Sequence, residues 1–352
     1  MVTNAAVSRM KADDFWVFFA HARFAIGRGR PAIGTSGEHK VGMAMGSADG
    51  TGHCMSDMLG LSRLLQVCEM DLVLLDGEGP GAVVHRVVHD EALLCTGQTR
   101  FACRGRFLVP ANAGLIACIQ HTDESASWCH GAPLSSGSLI TLAPRAASEF
   151  VLSAGTALTV VVVPLRHWQQ AGFVASAAAS EHLQLPAGDP GLQPYAALGE
   201  RIAGGSAAMA GVSLREVLEQ HAASVAQAGQ HGRAVSGRGR RTHYRILRRA
   251  EDFMQANLRH NLYINDICAA AGVSERALRY AFDDLLGMSP NRYLSMLRLC
   301  TAYRALASAD DERGSVKAIA LSCGLWDLSR FAENYRRVFG ELPRDTLMRS
   351  SG

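Results

Sequence analysis

Apolar and polar positions follow distinct rhythms along this chain. From Val83 to Pro164, short runs such as "AVVHRVV", "GLIACIQH", "SLITLA", "EFVLSA" and "LTVVVVP" are separated by clusters of Gly, Pro, Ser and Asn. That punctuation predicts a compact antiparallel β sandwich or barrel. Met55 to Glu69, "MSDMLGLSRLLQVCE", has helical spacing and predicts an amphipathic helix. Arg166 to Ser180 and Pro194 to Ala228 are Ala- and Leu-rich with polar faces, and predict further helices. The helices from Pro194 to Ala228 either pair with a second copy in a homodimer or pack on the sandwich. Gly229 to Arg241, "GQHGRAVSGRGRR", has no apolar period and predicts a flexible basic linker. Everything beyond it has helical spacing. The expected division is therefore 1–228, 229–241 and 242–352.

Two segments of the last region repeat one plan: "ICAAAGVSERALRYAFDDLLGMSP" (Ile267 to Pro290) and "IALSCGLWDLSRFAENYRRVFGELP" (Ile319 to Pro343). Each begins with a short helix and turns on a glycine, Gly272 or Gly324. Each then caps a second helix, at Ser274 or Asp327, and ends on Gly287 or Gly340. In the first copy Leu278, Phe282 and Leu285 share one face, leaving Arg276, Arg279, Tyr280 and Asp283 outside. In the second, Phe331, Tyr335 and Val338 face inward, and Ser329 and Glu333 point away. This is the grammar of a helix-turn-helix. The turn glycines and the terminating glycines differ in spacing by one residue, a slip that the pattern puts in the first turn of the second long helix. Between the copies, Ser289 and Pro290 start a helix running to Ala307, about 27 Å long at the usual rise per residue.

These motifs, Gly272 to Pro290, "SPNRYLSMLRL" and "IALSCGLWDLSRF…Y…FGELP", resemble the DNA-binding domain of the AraC/XylS family of bacterial transcriptional regulators. The likeness covers about Thr242 to Leu347. It implies an α+β two-domain protein: an N-terminal β-sandwich or cupin-like sensor domain with helices, and a C-terminal all-α domain with two helix-turn-helix motifs joined by a linker helix. It also implies a sequence-specific DNA-binding regulator, usually an activator, that responds to a small-molecule effector, with RNA polymerase as a further partner. The chain departs from the family pattern at Tyr280 and Glu333, where basic residues are common, and at Tyr263, a capping position usually held by Ser or Thr.

Charge agrees with a DNA partner. Residues 237–352 carry 19 Lys and Arg against 13 Asp and Glu, while the preceding residues carry 16 against 19. A basic module follows an acidic one, which points the second towards a polyanion. Base-reading roles fall to Arg276, Arg279, Tyr280, Ser329 and Glu333, whose donors and acceptors match base edges. Arg292, Lys317, Arg336 and Arg337 are placed for phosphate. In the β region, Trp128 with Glu149 suits a small cation or amine, and Arg106 suits a carboxylate, with His130 on the same face as Trp128. These four form the expected effector pocket; the bland alternative is that Trp128 is core and the charges are surface.

Other chemistry finds little support. The nine Cys are scattered without a CxxC pair, so buried thiols in a reducing cytoplasm are expected, not disulfides or zinc. "LLDGEGPGA" lacks the helix that a dinucleotide loop requires next. His85 and His89 lack a third ligand, and no GxSxG motif occurs. No catalytic residue, metal or cofactor is expected. No apolar run is long enough to cross a bilayer, and "FWVFFA" lacks the form of a signal peptide, so a soluble cytoplasmic protein is expected. Two competing readings are a ligand-independent architectural DNA binder and a β-sandwich enzyme fused to a DNA module.

Overall fold

The computed structural model describes residues 53–55, 69–76, 82–173, 180–186, 188–231, 238–309 and 315–350. All lie within one compact unit, 48–352. The strands are β1 (His53–Met55), β2 (Glu69–Leu74), β3 (Ala82–His89), β4 (Ala92–Thr99), β5 (Cys103–Leu108) and β6 (Ala113–His121). They continue with β7 (Trp128–Cys129), β8 (Ala132–Pro133), β9 (Ser138–Leu142), β10 (Ala147–Leu152), β11 (Ala157–Pro164) and β12 (Ser180–Gln184). One sheet has the order β1-β3-β4-β11-β6-β9-β12 and the other β2-β5-β10-β7-β8. The apolar runs of the sequence are the strands, and their inward positions, among them Phe107, Leu115, Ile119, Phe150 and Val160, share one core. At Gly105 a Cβ would sit 2.0 Å from the Phe150 ring, so the missing side chain is what lets the ring lie across β5.

The helices are α1 (Leu165–Gln170), α2 (Gln193–Ala203), α3 (Leu214–His231), α4 (Arg238–Ala256), α5 (Ile264–Ala271), α6 (Glu275–Leu286), α7 (Pro290–Ala307), α8 (Val316–Ser322), α9 (Leu328–Phe339) and α10 (Pro343–Ser350). The apolar faces of α2 and α3 are spent on the larger sheet: Leu198, Ile202, Leu214 and Leu218 pack with Val87, Ile116 and Val161. Of the two roles open to residues 194–228, the structure places them on the sandwich.

Several elements differ from expectation. The helix from Arg166 stops early, because Gly172 takes φ +78° and Phe173 folds back to stack on Trp168 at 4.6 Å; Ser180 already belongs to β12. The basic segment 229–241 has helix at both ends. α3 continues to His231, and α4 begins at Arg238, since arginine is a good helix former and the buried stripe Ile246, Leu247, Ala250 and Met254 anchors the helix downstream. Of the amphipathic helix expected over 55–69, Met55 and Glu69 lie in strands, and residues 56–68 are outside the described residues, as are "FWVFFA" and Gly77 to Gly81.

Strands β5 and β10 are buried on both faces. Their inward residues meet the sandwich core, while their outward residues Arg104, Arg106 and Glu149 meet α4. The two sheets and the C-terminal helices share one continuous apolar cluster.

Candidate nucleic-acid interface

Two helical pairs, α5–α6 and α8–α9, are built by matching local chemistry. Gly272 (φ +70°) and Gly324 (φ +75°) supply the left-handed residue after each short helix. The second is the more constrained, because a Cβ at Gly324 would lie 2.1 Å from the Leu258 carbonyl oxygen. Ser274 Oγ accepts the Ala277 amide at 3.3 Å, and Asp327 Oδ1 accepts that of Arg330 at 3.0 Å. Each thereby satisfies one of the orphan donors at a helix start. Ser289 and Ser315 cap α7 and α8 in the same way. Tyr263 replaces the usual hydroxyl cap of α5 and makes no side-chain cap. Asp266 compensates by accepting the Tyr263 amide at 3.0 Å.

The long second helices each bury one face and present the other. α6 buries Leu278, Ala281, Phe282, Leu285 and Leu286; α9 buries Phe331, Tyr335, Val338 and Phe339. Arg276, Arg279 and Tyr280 lie exposed on α6, and Ser329, Glu333, Arg336 and Arg337 on α9. Arg292 at the start of α7 and Lys317 on α8 are also exposed. The two α6 arginines are already engaged. Arg279 donates to Glu275 Oε1 at 2.9 and 2.5 Å, and Arg276 lies over the Tyr280 ring, 5.3 Å from its centre, while donating to its hydroxyl at 3.1 Å. Exposed pairs of this kind contribute little, so a stronger acceptor can displace them.

Sequence reasoning missed a second group. Arg241, Arg245 and Arg249 are exposed on α4 at four-residue intervals, which aligns them along one helix face. Arg249 lies beside the turn of the first pair: its Nη1 would be 3.9 Å from a Cβ at Gly272. Reading 229–241 as linker hid this stripe, because the helical period across Arg241, Arg245 and Arg249 is visible only if α4 starts before Thr242.

The four residues expected around an effector sit elsewhere. Arg106, Trp128 and Glu149 lie on the outward face of the smaller sheet, against the C-terminal helices. The cation over Trp128 is supplied by the chain itself: Arg104 Cζ is 4.9 Å from the ring centre. Arg104, 1% exposed, donates to Glu149 Oε2 at 2.7 Å and to both oxygens of Glu251 on α4, at 3.0 and 2.8 Å. Tyr293 of α7 donates to Glu251 at 2.6 Å, and Tyr244 of α4 to Glu149 at 3.1 Å. Arg106 donates to Asp252 at 3.0 Å and Gln255 at 3.2 Å. Three arginines, 104, 106 and 248, thus face three carboxylates, 149, 251 and 252. Burial pushes the Glu149 carboxyl up, but Arg104, Arg106 and Arg248 outweigh it and hold the group down at about 2. Burial lowers the Arg104 guanidinium, and the charges of Glu251 and Glu149 reverse this, so its affinity for the proton ends well above the ordinary value. Trp128 Nε1 donates to the Leu285 carbonyl at 2.8 Å, one of the last carbonyls of α6 that have no donor within the helix. His130 takes φ +49° in the β7–β8 turn, and burial lowers its affinity for a proton.

The sandwich interior holds a cavity of about 120 Å³, with walls including Met70, Cys95, Phe107, Ile119, Phe150 and Leu152. Arg106, Trp128, His130 and Glu149 are absent from its walls. Strand alternation explains why. Phe107, Ser148, Phe150 and Cys129 face the cavity, and their neighbours Arg106, Glu149 and Trp128 face the helices. No cluster of His, Cys, Asp and Glu suited to a metal is found among the described residues, and no described helix is long and apolar enough to cross a membrane. Cys95, Cys103, Cys118, Cys129, Cys268, Cys300 and Cys323 are buried thiols.

A helix-turn-helix domain family model matches residues 267–349. The XylDLEGF operon transcriptional activator of Pseudomonas putida is 31% identical over 138 residues, 39% of this chain and 40% of that protein. The chain thus matches well under half the length of such a relative. The transcriptional activator RhaS of Escherichia fergusonii is 41% identical over 73 residues, 21% of this chain and 25% of its own. Among solved structures, a probable AraC family transcriptional regulator from Rhodopseudomonas palustris is 34% identical, covering 30% of this chain and 98% of its own, with a TM-score of 0.28.

Proposed function

We propose that this chain, whose residues 267–349 match a helix-turn-helix domain family model and which is similar there to curated operon activators, is a sequence-specific DNA-binding transcription regulator of the AraC/XylS type, acting as an activator. Its α5–α6 and α8–α9 pairs are two helix-turn-helix motifs. The observation that carries this reading is the matched pair of outward polar faces on α6 and α9, held apart by the 18 residues of α7. A helix of that length spans about 27 Å. Successive major-groove faces on one side of B-DNA are about 34 Å apart. One rigid spacer therefore suits two reading helices in adjacent segments of the groove. Arg276 and Arg279 offer bidentate donors to guanine, Tyr280 and Ser329 offer single contacts, and Glu333 offers an acceptor to a cytosine amino group. Arg292, Lys317, Arg336 and Arg337 hold phosphate, joined by Arg241, Arg245 and Arg249.

The test is selection of duplexes from a random pool by the purified full chain, followed by gel-shift titration across salt concentrations. An enriched bipartite motif and a steep fall of affinity with salt are expected. Recovery of a pool with no enriched sequence would remove the sequence-specific reading and leave only an architectural binder.

The N-terminal domain serves as the sensor. Its effector is small and predominantly apolar, because the cavity walls offer chiefly hydrocarbon and thiol surface, with a few Thr, Gln and Ser side chains. Cavity and domain interface share one sheet, so a ligand that moves Phe107 or Phe150 acts on strands that carry Arg104 and Glu149. Thermal unfolding of the full chain against uncharged aromatics and short alkanols, with sugars and amino acids as contrast, tests this. A rise with the first group alone is expected, since a ligand that binds only the folded state stabilises it. A rise with the second group alone overturns the apolar assignment. RNA polymerase is the further partner that activation requires, and the cytoplasm the place of action.

A further inference from the structure

The two helical pairs differ by one residue, and the structure locates it. α6 and α9 are both 12 residues long, and both end on a left-handed glycine, Gly287 or Gly340. The slip that the sequence pattern put inside the second long helix therefore lies before it, in the turn. The first turn runs Gly272, Val273, Ser274; the second runs Gly324, Leu325, Trp326, Asp327. The outer members correspond. Gly272 and Gly324 are left-handed, Ser274 and Asp327 cap their helices, and Val273 and Leu325 both pack, half-buried, against the core. The residue without a counterpart is Trp326.

Trp326 is 55% exposed and does not join the side chains packed against the core. That is an unfavourable place for the largest apolar side chain, since exposed apolar surface carries a free-energy penalty that grows with area. A turn that needed only one more residue is served by Gly, Ser or Asn. The position is also specific. Trp326 stands directly before the N-cap of α9, at the end of a reading helix that approaches base edges. Exposed Ser329 and Arg330 follow within one turn, and the other exposed reading position of α9, Glu333, is acidic.

We infer that Trp326 is a DNA-contact residue, whose indole lies against the 5-methyl group of a thymine in the major groove. It gives the second helical pair a base preference that Ser329 and Glu333 do not supply. Thymine is the base that offers an apolar group in the major groove, and apolar side chains are what read it. The inference rests on the DNA-binding reading above and adds to it a base, a residue and a half-site.

The experiment uses the full chain and the duplex it selects from a random pool. Binding is measured by gel shift for the wild type, Trp326→Ala and Trp326→Phe. Each thymine is replaced in turn by uracil, which removes only the methyl group. Trp326→Ala should weaken binding to the selected duplex about ten-fold, the scale of one lost base contact. It should change binding to an unrelated duplex less than two-fold and leave the melting temperature unchanged. One uracil position in the half-site read by α9 should weaken the wild type by a similar factor and leave Trp326→Ala unaffected, with Trp326→Phe retaining part of the discrimination. Indole fluorescence, taken as wild type minus Trp326→Phe, should shift on DNA binding; of the other described tryptophans, Trp128 and Trp168 are fully buried. If no uracil position discriminates while specific binding is intact, the thymine assignment is overturned and the DNA-binding reading stands. Equal loss on both duplexes, or a lowered melting temperature, makes Trp326 a structural residue and also overturns it. A wild type that enriches no sequence overturns both readings together.

Discussion

Arg104 on β5 and Glu251 on α4 meet through two hydrogen bonds, Nε to Oε1 at 3.0 Å and Nη2 to Oε2 at 2.8 Å, with both side chains essentially out of solvent. This planar two-point contact joins residues 147 apart in sequence, and it fixes the β region against α4. A guanidinium in this geometry satisfies a carboxylate fully, and Lys would not replace it.

Removing one partner of that contact should cost far more than removing both. Arg104→Met leaves the buried Glu251 carboxylate without its guanidinium and takes one of three arginines from Glu149, and should lower stability by about 3–5 kcal/mol. Adding Glu251→Leu to Arg104→Met should recover part of the loss. Urea unfolding of the full-length variants checks this; additive losses would mean that the two side chains do not act as a pair.

The two turn glycines should respond differently to alanine. Both have φ near +70°, so each substitution meets backbone strain. At Gly272 the nearest atom, Arg249 Nη1, would be in ordinary contact at 3.9 Å, and Gly272→Ala should cost about 1 kcal/mol. At Gly324 the Leu258 carbonyl blocks the new methyl. Gly324→Ala should cost about 3 kcal/mol or more, since backbone must move as well. Melting temperatures of the two variants give the comparison.

Acid should destabilise the protein in two stages. Burial holds His182 and His221 down at about 4, against an ordinary value of 6.5, with neighbouring His130 adding to the effect at His182. Above pH 6.5 both folded and unfolded chains carry neutral imidazole, and the stability is intact. As pH falls from 6.5 to about 4, the unfolded chain binds protons that the folded one refuses. The loss should be on the order of 2–3 kcal/mol for each histidine by pH 4.5. Glu149, held at about 2 against an ordinary 4.5, extends the loss further into acid, because only the unfolded chain protonates between those values. Denaturation midpoints at pH 7.5, 6 and 4.5 should fall in that order, and His182→Gln should flatten the slope.

Within the proposed DNA interface, Arg276→Ala and Arg245→Ala should separate by kind. Arg276→Ala should weaken binding to the selected duplex by about 1–3 kcal/mol and barely change nonspecific binding. Arg245→Ala should weaken both alike and reduce the salt slope by about one. Gel-shift titrations at several salt concentrations read both effects; equal loss on both duplexes for Arg276→Ala would move it to the phosphate group.

Trp128→Phe isolates the indole donor. The ring volume is largely kept, but the Leu285 carbonyl at the end of α6 loses its donor. A cost of about 1–3 kcal/mol is expected in urea unfolding, the usual penalty for stranding a buried polar group.

Local chemistry made much of the molecule readable in advance. Strands β3, β6, β9, β10 and β11 announce themselves by short apolar runs between turn residues. The caps at Ser274, Ser289, Ser315 and Asp327 lie where short polar side chains precede helical patterns. The inward stripes of α6 and α9 follow from period alone. These are interactions within a few residues, and sequence spacing encodes them directly.

What the sequence could not decide is which surface covers a polar face. Arg104, Arg106 and Glu149 alternate with apolar residues as an ordinary solvent-exposed strand face would, and Trp128 stands among small polar residues. Tertiary structure turned that face towards α4 and α7, made Arg104 the cation over Trp128, and left the cavity to the hydrocarbon side of the same strands. It also placed the extra residue of the second turn at Trp326, because only the cap and helix ends, once formed, separate a longer turn from a longer helix. Period and propensity act along the chain and belong to the sequence. The pairing of charges 147 residues apart depends on how two finished surfaces meet, and only the folded chain settles it.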